Sequence, residues 1–348
     1  MALLEKLTFA QNYFKNRKVL VTGGNGFIGS YLVDRLKELG ASVKIYDLTN
    51  RYNGDVDFVF GDIRDYDRLY ASMKNIDIVF HFAAILGVER IINIPDEVLE
   101  INLGGTRNAI RAAQEHNVEK FMFSSSSEIY GNPRTIPIRE DADPAPISVY
   151  GISKLAGEAY CRTLAEKSDT KVIIFRFFNV YGPRQVEKFV MSNFISRVSQ
   201  NLPPIIYGSG KQSRCYTFVS DAINGVLLAS ALSEKKIDIY NIGNDRETTV
   251  SELADLIIEF HGRKLLPEYR AFGEGVRVEK REIIRRKPSI EKAKSNLGFE
   301  IKTLVQEGIR RYFEWYYKEH ELRKLVNEMN MLEKRITIPQ YTRVGASA

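Results

Sequence analysis

Six short runs rich in β-branched and aromatic residues mark the first half of the chain: KVLVTG at 18, SVKIYD at 42, DFVFGD at 57, IDIVFHFAA at 76, KFMFSS at 120 and KVIIFRFFNV at 171. Between them lie longer stretches whose apolar residues recur every three or four positions, such as YLVDRLKELG, DEVLEINLGGTRNAIRAAQEH and VYGISKLAGEAYCRTLAEK. Runs that are apolar almost without a break suit strands buried on both faces, and the intervening helical stretches supply the covers. The alternation predicts an α/β fold built on a doubly wound parallel sheet with helices on both sides.

After residue 181 the rhythm loosens. Pro183, the Pro203-Pro204 pair and the turn from Gly208 to Gly210 divide the chain into shorter pieces, where a smaller mixed domain is expected. YTFVSDAINGVLLAS and IDIYNIGN again have the patterns of a helix and a strand belonging to the first sheet. The predicted organisation is an N-terminal extension at 1–16 and a nucleotide-binding domain at 17–181, rejoined by 215–243. A substrate-binding domain follows from 182–214 and 244–325, with a tail at 326–348. From 303 onward, apolar spacing of three and four predicts a packed terminal helix.

Composition narrows the function classes. With 348 residues, 44% of them hydrophobic, the chain can bury a large core and a smaller one. No apolar run approaches the roughly 20 residues of a membrane span, and the first residues lack a signal-peptide pattern, so a cytoplasmic protein is expected. Cys161 and Cys215 are too few for a disulfide framework and too far apart for a metal-ligand pair, and no metal is expected. The net charge of +6 comes from bases interleaved with acids, which argues against a nucleic-acid partner. The basic cluster REIIRRK at 281–287 departs from that mixture, and reads either as a solvated turn or as a site for a small anion.

Two motifs carry chemistry. In VLVTGGNGFIGSYL, Gly23, Gly26 and Gly29 follow a strand and open a helix, which lets backbone N–H groups approach a pyrophosphate. Asp47, ending the next strand, suits the adenosine ribose diol and would repel a 2′-phosphate, so NAD is favoured over NADP; Arg51 nearby weighs the other way. In VYGISK, Tyr150 and Lys154 lie four apart near a helix start, on one face. A neighbouring ammonium and an oxidised nicotinamide would stabilise the Tyr150 phenolate and let it take a proton from a sugar hydroxyl.

From Lys18 to Leu304 the chain resembles the extended short-chain dehydrogenase/reductases that modify nucleotide sugars. TGGNGFIG, GDIRD, HFAA, NLGGT, SSSSEIYG, YGISK, RFFNVYGPRQ, GSGKQSRCYTFVSD, YNIGN and RRKPSIEKAK carry the resemblance. It implies a Rossmann-type sheet with a smaller substrate-binding domain, and a homodimer through helices around 95–116 and 148–167. It implies NAD contacts at Gly23, Gly26, Phe27, Ile28, Gly29, Asp47, Asp62, Ile63, Ala83, Ala84, Asn102, Ser124, Tyr150, Lys154 and Phe177. Catalytic roles fall to Ser126, Tyr150, Lys154 and Glu128. Contacts to a nucleoside-diphosphate sugar fall to Ser126, Ser127, Tyr150, Asn179, Arg214, Arg281 and Arg286.

In a sheet of this kind the ligand lies outside the carboxyl ends of the strands, which brings SSSSEIY to the sugar. Ser124 and Ser125 are expected mainly to cap the strand end, and Ser126 to share a proton with Tyr150. The family's chemistries diverge at the next two positions. The dTDP-glucose dehydratases resemble T-D-E, whereas GDP-mannose dehydratases and UDP-glucuronate decarboxylases resemble T-S-E, closer to Ser126-Ser127-Glu128. The decarboxylases also have an arginine in a motif similar to Arg286-Lys287-Pro288-Ser289. RFFNVYGPRQ is similar to the epimerase segment, and many 4-epimerases have a small or β-branched residue where Glu128 stands. On this reading a nucleotide-sugar 4-epimerase ranks first, a decarboxylase or 4,6-dehydratase using Glu128 second, and Glu128 as a carboxylate simply held by an arginine is a third possibility. An NAD-binding regulator without turnover is disfavoured because Ser126, Tyr150 and Lys154 are all present.

Overall fold

The computed structural model describes residues 3–336 apart from 53, 88–91, 263 and 273–282. Seven strands form the central sheet: β1 (Lys18–Thr22), β2 (Ser42–Asp47), β3 (Asp57–Phe60), β4 (Ile78–His81), β5 (Lys120–Ser126), β6 (Lys171–Phe177) and β7 (Ile237–Ile242). Their order is β7-β6-β5-β4-β1-β2-β3, and every neighbouring pair is parallel. The chain winds outward in both directions from β1 and β4. The crevice between their carboxyl ends is therefore the topological switch point where such sheets hold ligands.

The strands lack polar alternation because both faces are covered. Val19, Val21, Ile78, Phe80 and Met122 face one apolar layer, while Leu20, Val79, Phe121 and Phe123 face the other. Each such fully buried side chain contributes about 1.5–3 kcal/mol. The first layer is closed by α1 (Leu3–Tyr13), α2 (Phe27–Glu38) and later helices, and the second by α3 (Tyr66–Ser72), α4 (Gly105–Glu115) and α5 (Val149–Ala165).

Beyond β6 the chain makes α6 (Val190–Ser199), α7 (Val219–Leu232), α8 (Val250–His261), α9 (Glu291–Leu297) and α10 (Val305–Ile336). It also makes small sheets from two- and three-residue strands. One of these sets Ser213–Arg214 between Thr248–Thr249 and Arg285–Arg286. The terminal helix packs through Ile309, Tyr312, Phe313 and Tyr316, all buried. Among the described residues no helix is long and apolar enough to cross a membrane.

Candidate active site

The glycine turn is built by close approach. Gly23 has φ +72°, and a Cβ there would stand 2.7 Å from the backbone nitrogen of Ala83. A Cβ on Gly29 would stand 2.1 Å from the Gly23 carbonyl oxygen, so the first turn of α2 rests on the glycine turn itself. Gly26 caps α2 without a side-chain bond, and the first intrahelical bond runs from Ser30 N–H to Gly26 O at 2.9 Å. The amides of Phe27, Ile28 and Gly29 precede that bond, as a helix start that receives a diphosphate requires.

Asp47 closes this turn as well as facing the crevice. Its carboxylate accepts from the N–H groups of Asn25 at 3.0 Å and Thr49 at 3.1 Å. The Arg51 N–H in turn donates to Asn25 Oδ1 at 3.2 Å. At the end of β3, the buried Tyr46 hydroxyl donates to the Asp62 carbonyl at 2.9 Å, and Asn108 Nδ2 donates to the Ile63 carbonyl at 3.1 Å. The Arg64 guanidinium hydrogen-bonds the Asp62 carboxylate and holds it below the usual range. These acids and glycines form a cradle that fits a dinucleotide.

After β4, Ala83 and Ala84 enter the crevice, and Ala83 N–H donates to Thr22 Oγ1 at 3.3 Å. Asn102 has its side chain fully engaged by protein. Its Oδ1 accepts from Ile85 N–H at 2.8 Å, and its Nδ2 donates to Ile85 O at 3.0 Å and Ser153 Oγ at 3.2 Å. Its side chain therefore ties the loop after β4 to α5 rather than presenting a free amide. Beneath it, buried His81 bridges Thr22 Oγ1 at 2.9 Å and Thr106 Oγ1 at 3.1 Å. Burial, helped by the Lys154 charge, depresses its pKa to about 3, so its imidazole is neutral. The ring of Phe177 closes the other side edge-on to Phe82, with centroids 5.8 Å apart.

The reactive side chains meet at the end of β5. Ser148 caps α5 by accepting from Gly151 N–H at 3.0 Å, which sets Tyr150 in the first turn and Lys154 one turn later. Lys154 Nζ lies 5.8 Å from the centre of the Tyr150 ring and 3.4 Å from Ser124 Oγ. Burial lowers the Lys154 pKa to about 7 against the opposing pull of Cys161 and Glu158. Burial also pushes the Tyr150 phenol well up; a hydrogen bond with Ser126 opposes this and the Glu128 charge reinforces it. Burial thus disfavours both ionised forms, and positive charge brought by a ligand would favour the phenolate, which in turn would favour the ammonium. Ser126 caps the following 3-10 turn, Ser127–Tyr130, by accepting from Glu128 N–H at 3.2 Å.

The expectation that Ser124 and Ser125 cap the strand end is corrected here. Ser124 accepts from Lys154, and Ser125 bonds Glu158 Oε1 at 2.5 Å. Glu158 and Arg176 form a buried bidentate pair at 3.0 and 2.8 Å. Sequence reasoning missed both, although Glu158 follows Lys154 by four positions and shares its helix face. Arg176 sits in an apolar strand, where a buried guanidinium requires a partner.

Three substrate-side candidates lie beyond β6 in the chain, and one of them, Arg286, reaches Glu128. Asn179 has φ +40° and a buried Oδ1 with no partner among the described residues. Arg214 donates to the carbonyls of Ser213 at 2.8 Å and Ile283 at 2.7 Å. Arg286, only 3% exposed, donates from Nη1 to Glu128 Oε1 at 2.5 Å, while its Nε and Nη2 have no partner among the described residues. Ser127 is buried next to this pair in sequence. Arg281 lies outside the described residues. Among the described residues no group of three His, Cys, Asp or Glu side chains could hold a metal ion.

Residues 19–243 match the model of the NAD dependent epimerase/dehydratase family. The chain is 37% identical to a Methanocaldococcus jannaschii protein provisionally named a UDP-glucose 4-epimerase, over 85% of this chain and 97% of that one. It is 33% identical to the UDP-N-acetyl-alpha-D-glucosaminuronate decarboxylase of Bacillus cytotoxicus, over 86% and 98%. The fold superposes on MoeE5 in complex with UDP-glucuronic acid and NAD with a TM-score of 0.80 and 32% identity, covering 87% of this chain and 99% of that one.

Proposed function

The chain belongs to the NAD dependent epimerase/dehydratase family and is an NAD-dependent enzyme, and from that premise we propose that it oxidises a nucleoside-diphosphate sugar transiently at C4. NAD, when bound, would supply the acceptor and donor for the C4 hydride, and the positive charge of its oxidised ring would favour the Tyr150 phenolate. The amides of Phe27 to Gly29 receive the diphosphate, Asp47 the ribose diol, and Asp62 and Ile63 the adenine. Tyr150 Oη accepts the proton of the C4 hydroxyl, Ser126 Oγ orients that hydroxyl, and Lys154 steadies the phenolate. The short strands beyond residue 182 carry Arg214 and Arg286 toward the nucleotide sugar.

Asp47 leads to a direct expectation. NAD binds much more tightly than NADP, and Asp47→Asn weakens NAD binding, through the ribose and through the loss of full charge on the turn it closes. Calorimetric titration of both cofactors checks this, and equal affinities would contradict it.

The observation that supports one finer chemistry over the other is Arg286, buried against Glu128 with two donors unpartnered among the described residues. An arginine alone would also suit a diphosphate; its ion pair with the carboxylate two residues beyond Ser126 is what points to C5. A 4-epimerase removes and restores hydride at one carbon, for which Tyr150, Ser126 and Lys154 suffice without a carboxylate. A uronate oxidised at C4 is a β-keto acid: the C5–C6 bond breaks, carbon dioxide leaves, and the enolate must be protonated at C5. Arg286 suits the departing carboxylate, and the Glu128–Arg286 pair suits that proton transfer. The geometry therefore favours decarboxylation of a nucleotide-linked uronate, ahead of the 4-epimerisation ranked first on sequence. The epimerase reading keeps the support of RFFNVYGPRQ.

Incubation with UDP-glucose, UDP-N-acetylglucosamine and UDP-glucuronate in deuterated water separates the two. Release of carbon dioxide with deuterium at C5 is expected. A C4 epimer without deuterium at C5 would return the epimerase to first place.

A further inference from the structure

Glu128 and Arg286 are 158 positions apart, and a buried hydrogen bond that touches neither joins the segments that carry them. Tyr130 ends the 3-10 turn that carries Glu128, and its hydroxyl donates to Asn241 Oδ1 at 2.8 Å. Asn241, near the end of β7, sends its Nδ2 to the carbonyls of Ile138 at 3.0 Å and Ser289 at 3.3 Å. Ile138 holds the segment directly after Arg286 from both sides: its N–H donates to Lys287 O at 2.8 Å, and its carbonyl accepts from Ser289 N–H at 2.7 Å. Tyr130 and Asn241 are both essentially inaccessible to water.

On the Tyr130 side the same hydroxyl accepts from Arg176 Nη1 at 2.7 Å, and Arg176 is held by Glu158 on the helix of Tyr150 and Lys154. The catalytic helix, the Glu128 turn and the Arg286 segment thus converge on one phenol. Neither Tyr130 nor Asn241 contacts the reacting groups, and an apolar pair would fill the same volume. A fully satisfied polar junction instead sets distance and direction, because each partner admits a narrow range of geometry.

We infer that Tyr130 and Asn241 are positioning residues that set the Glu128–Arg286 pair relative to Tyr150. The importance of that pair rests on the functional reading above, whereas its geometric dependence on Tyr130 does not. Tyr130→Phe keeps the ring and removes the junction's hydroxyl. It is expected to lower kcat about tenfold and the affinity for UDP-glucuronate about fivefold, the order of loss that misplacement of groups meeting the substrate produces, while affinity for NAD changes little.

A double-mutant cycle with Arg286→Ala is the test, since coupling appears only where one residue acts through the other. In the Arg286→Ala background, Tyr130→Phe should cost less than about twofold. The cycle is read in kcat on whichever nucleotide sugar the wild type turns over. It is also read, with NADH in place of NAD so that no hydride can be taken from the sugar, in the calorimetric affinity for UDP-glucuronate. Collapse of the Tyr130→Phe effect in either quantity supports the inference, and an undiminished factor in both overturns it. Failure of turnover on every sugar would count against the functional reading while the affinity cycle still decides this one. If Tyr130→Phe does not fold, as judged by thermal unfolding, Asn241→Ala enters the same cycle with the same two outcomes.

Discussion

Replacing Tyr150 with Phe is expected to lower turnover by at least about 10²-fold and up to about 10⁴-fold, the range that loss of a positioned general acid/base produces. The change deletes one hydroxyl and keeps the ring, so the packing at the start of α5 survives. Ser126 cannot take over, because its hydroxyl already accepts from Glu128 N–H and has no basic neighbour other than Tyr150 among its bonds. NAD affinity should be nearly unchanged, since the cradle from Gly23 to Gly29 and Asp47 is untouched. Steady-state kinetics alongside NAD titration check both halves, and a variant that kept most of its kcat would remove Tyr150 from the mechanism. Lys154→Ala should differ in kind: on the proposed mechanism it loses rate and cofactor affinity together, because the one ammonium would both steady the phenolate and contact NAD.

The second large effect is expected at Glu128. If Glu128 takes part in proton transfer at C5, Glu128→Gln costs about 10²–10⁴ in the rate of carbon dioxide release. Part of that loss comes from Arg286, whose buried charge would face a neutral amide instead of a carboxylate. The first oxidation should persist, because Tyr150, Ser126 and Lys154 remain in place. Removing the Glu128 charge even relieves a repulsion that disfavours the Tyr150 phenolate. Deuterium incorporation at C5 should fall with the rate. A Gln variant that turned over nearly as fast as the wild type would make Glu128 a support and would favour the 4-epimerase.

What the sequence made legible follows from which interactions are local. The strands announced themselves because both faces are buried, and the glycine turn because its spacing is imposed by one strand-to-helix junction. Tyr150 and Lys154 were legible because four residues make one helical turn. The partners of the serines were not, since Ser125 meets Glu158 and Arg176 only after β5, α5 and β6 have packed. Glu128 drew notice by its place after the serines, but that it faces an arginine depends on a strand of two residues, Arg285–Arg286, that no periodicity marks. Asn102 shows the converse: its type suited a ligand contact, while its side chain is consumed by the loop it stabilises.

The His81 bridge under the crevice has a fixed polarity. Thr106 donates its hydroxyl hydrogen to the Asn102 carbonyl, so toward His81 it can only accept, and Nε2 must carry the ring proton. Nδ1 is then an acceptor for Thr22, whose oxygen also receives Ala83 N–H. Every hydrogen along this line has a single assignment, and a second proton on the imidazole is resisted by burial and by Lys154. This line under the crevice therefore has no spare hydrogen to hand on: it works as a fixed wire of polar groups that holds the turn and the loop after β4 in place, and a proton from Tyr150 has no passage along it.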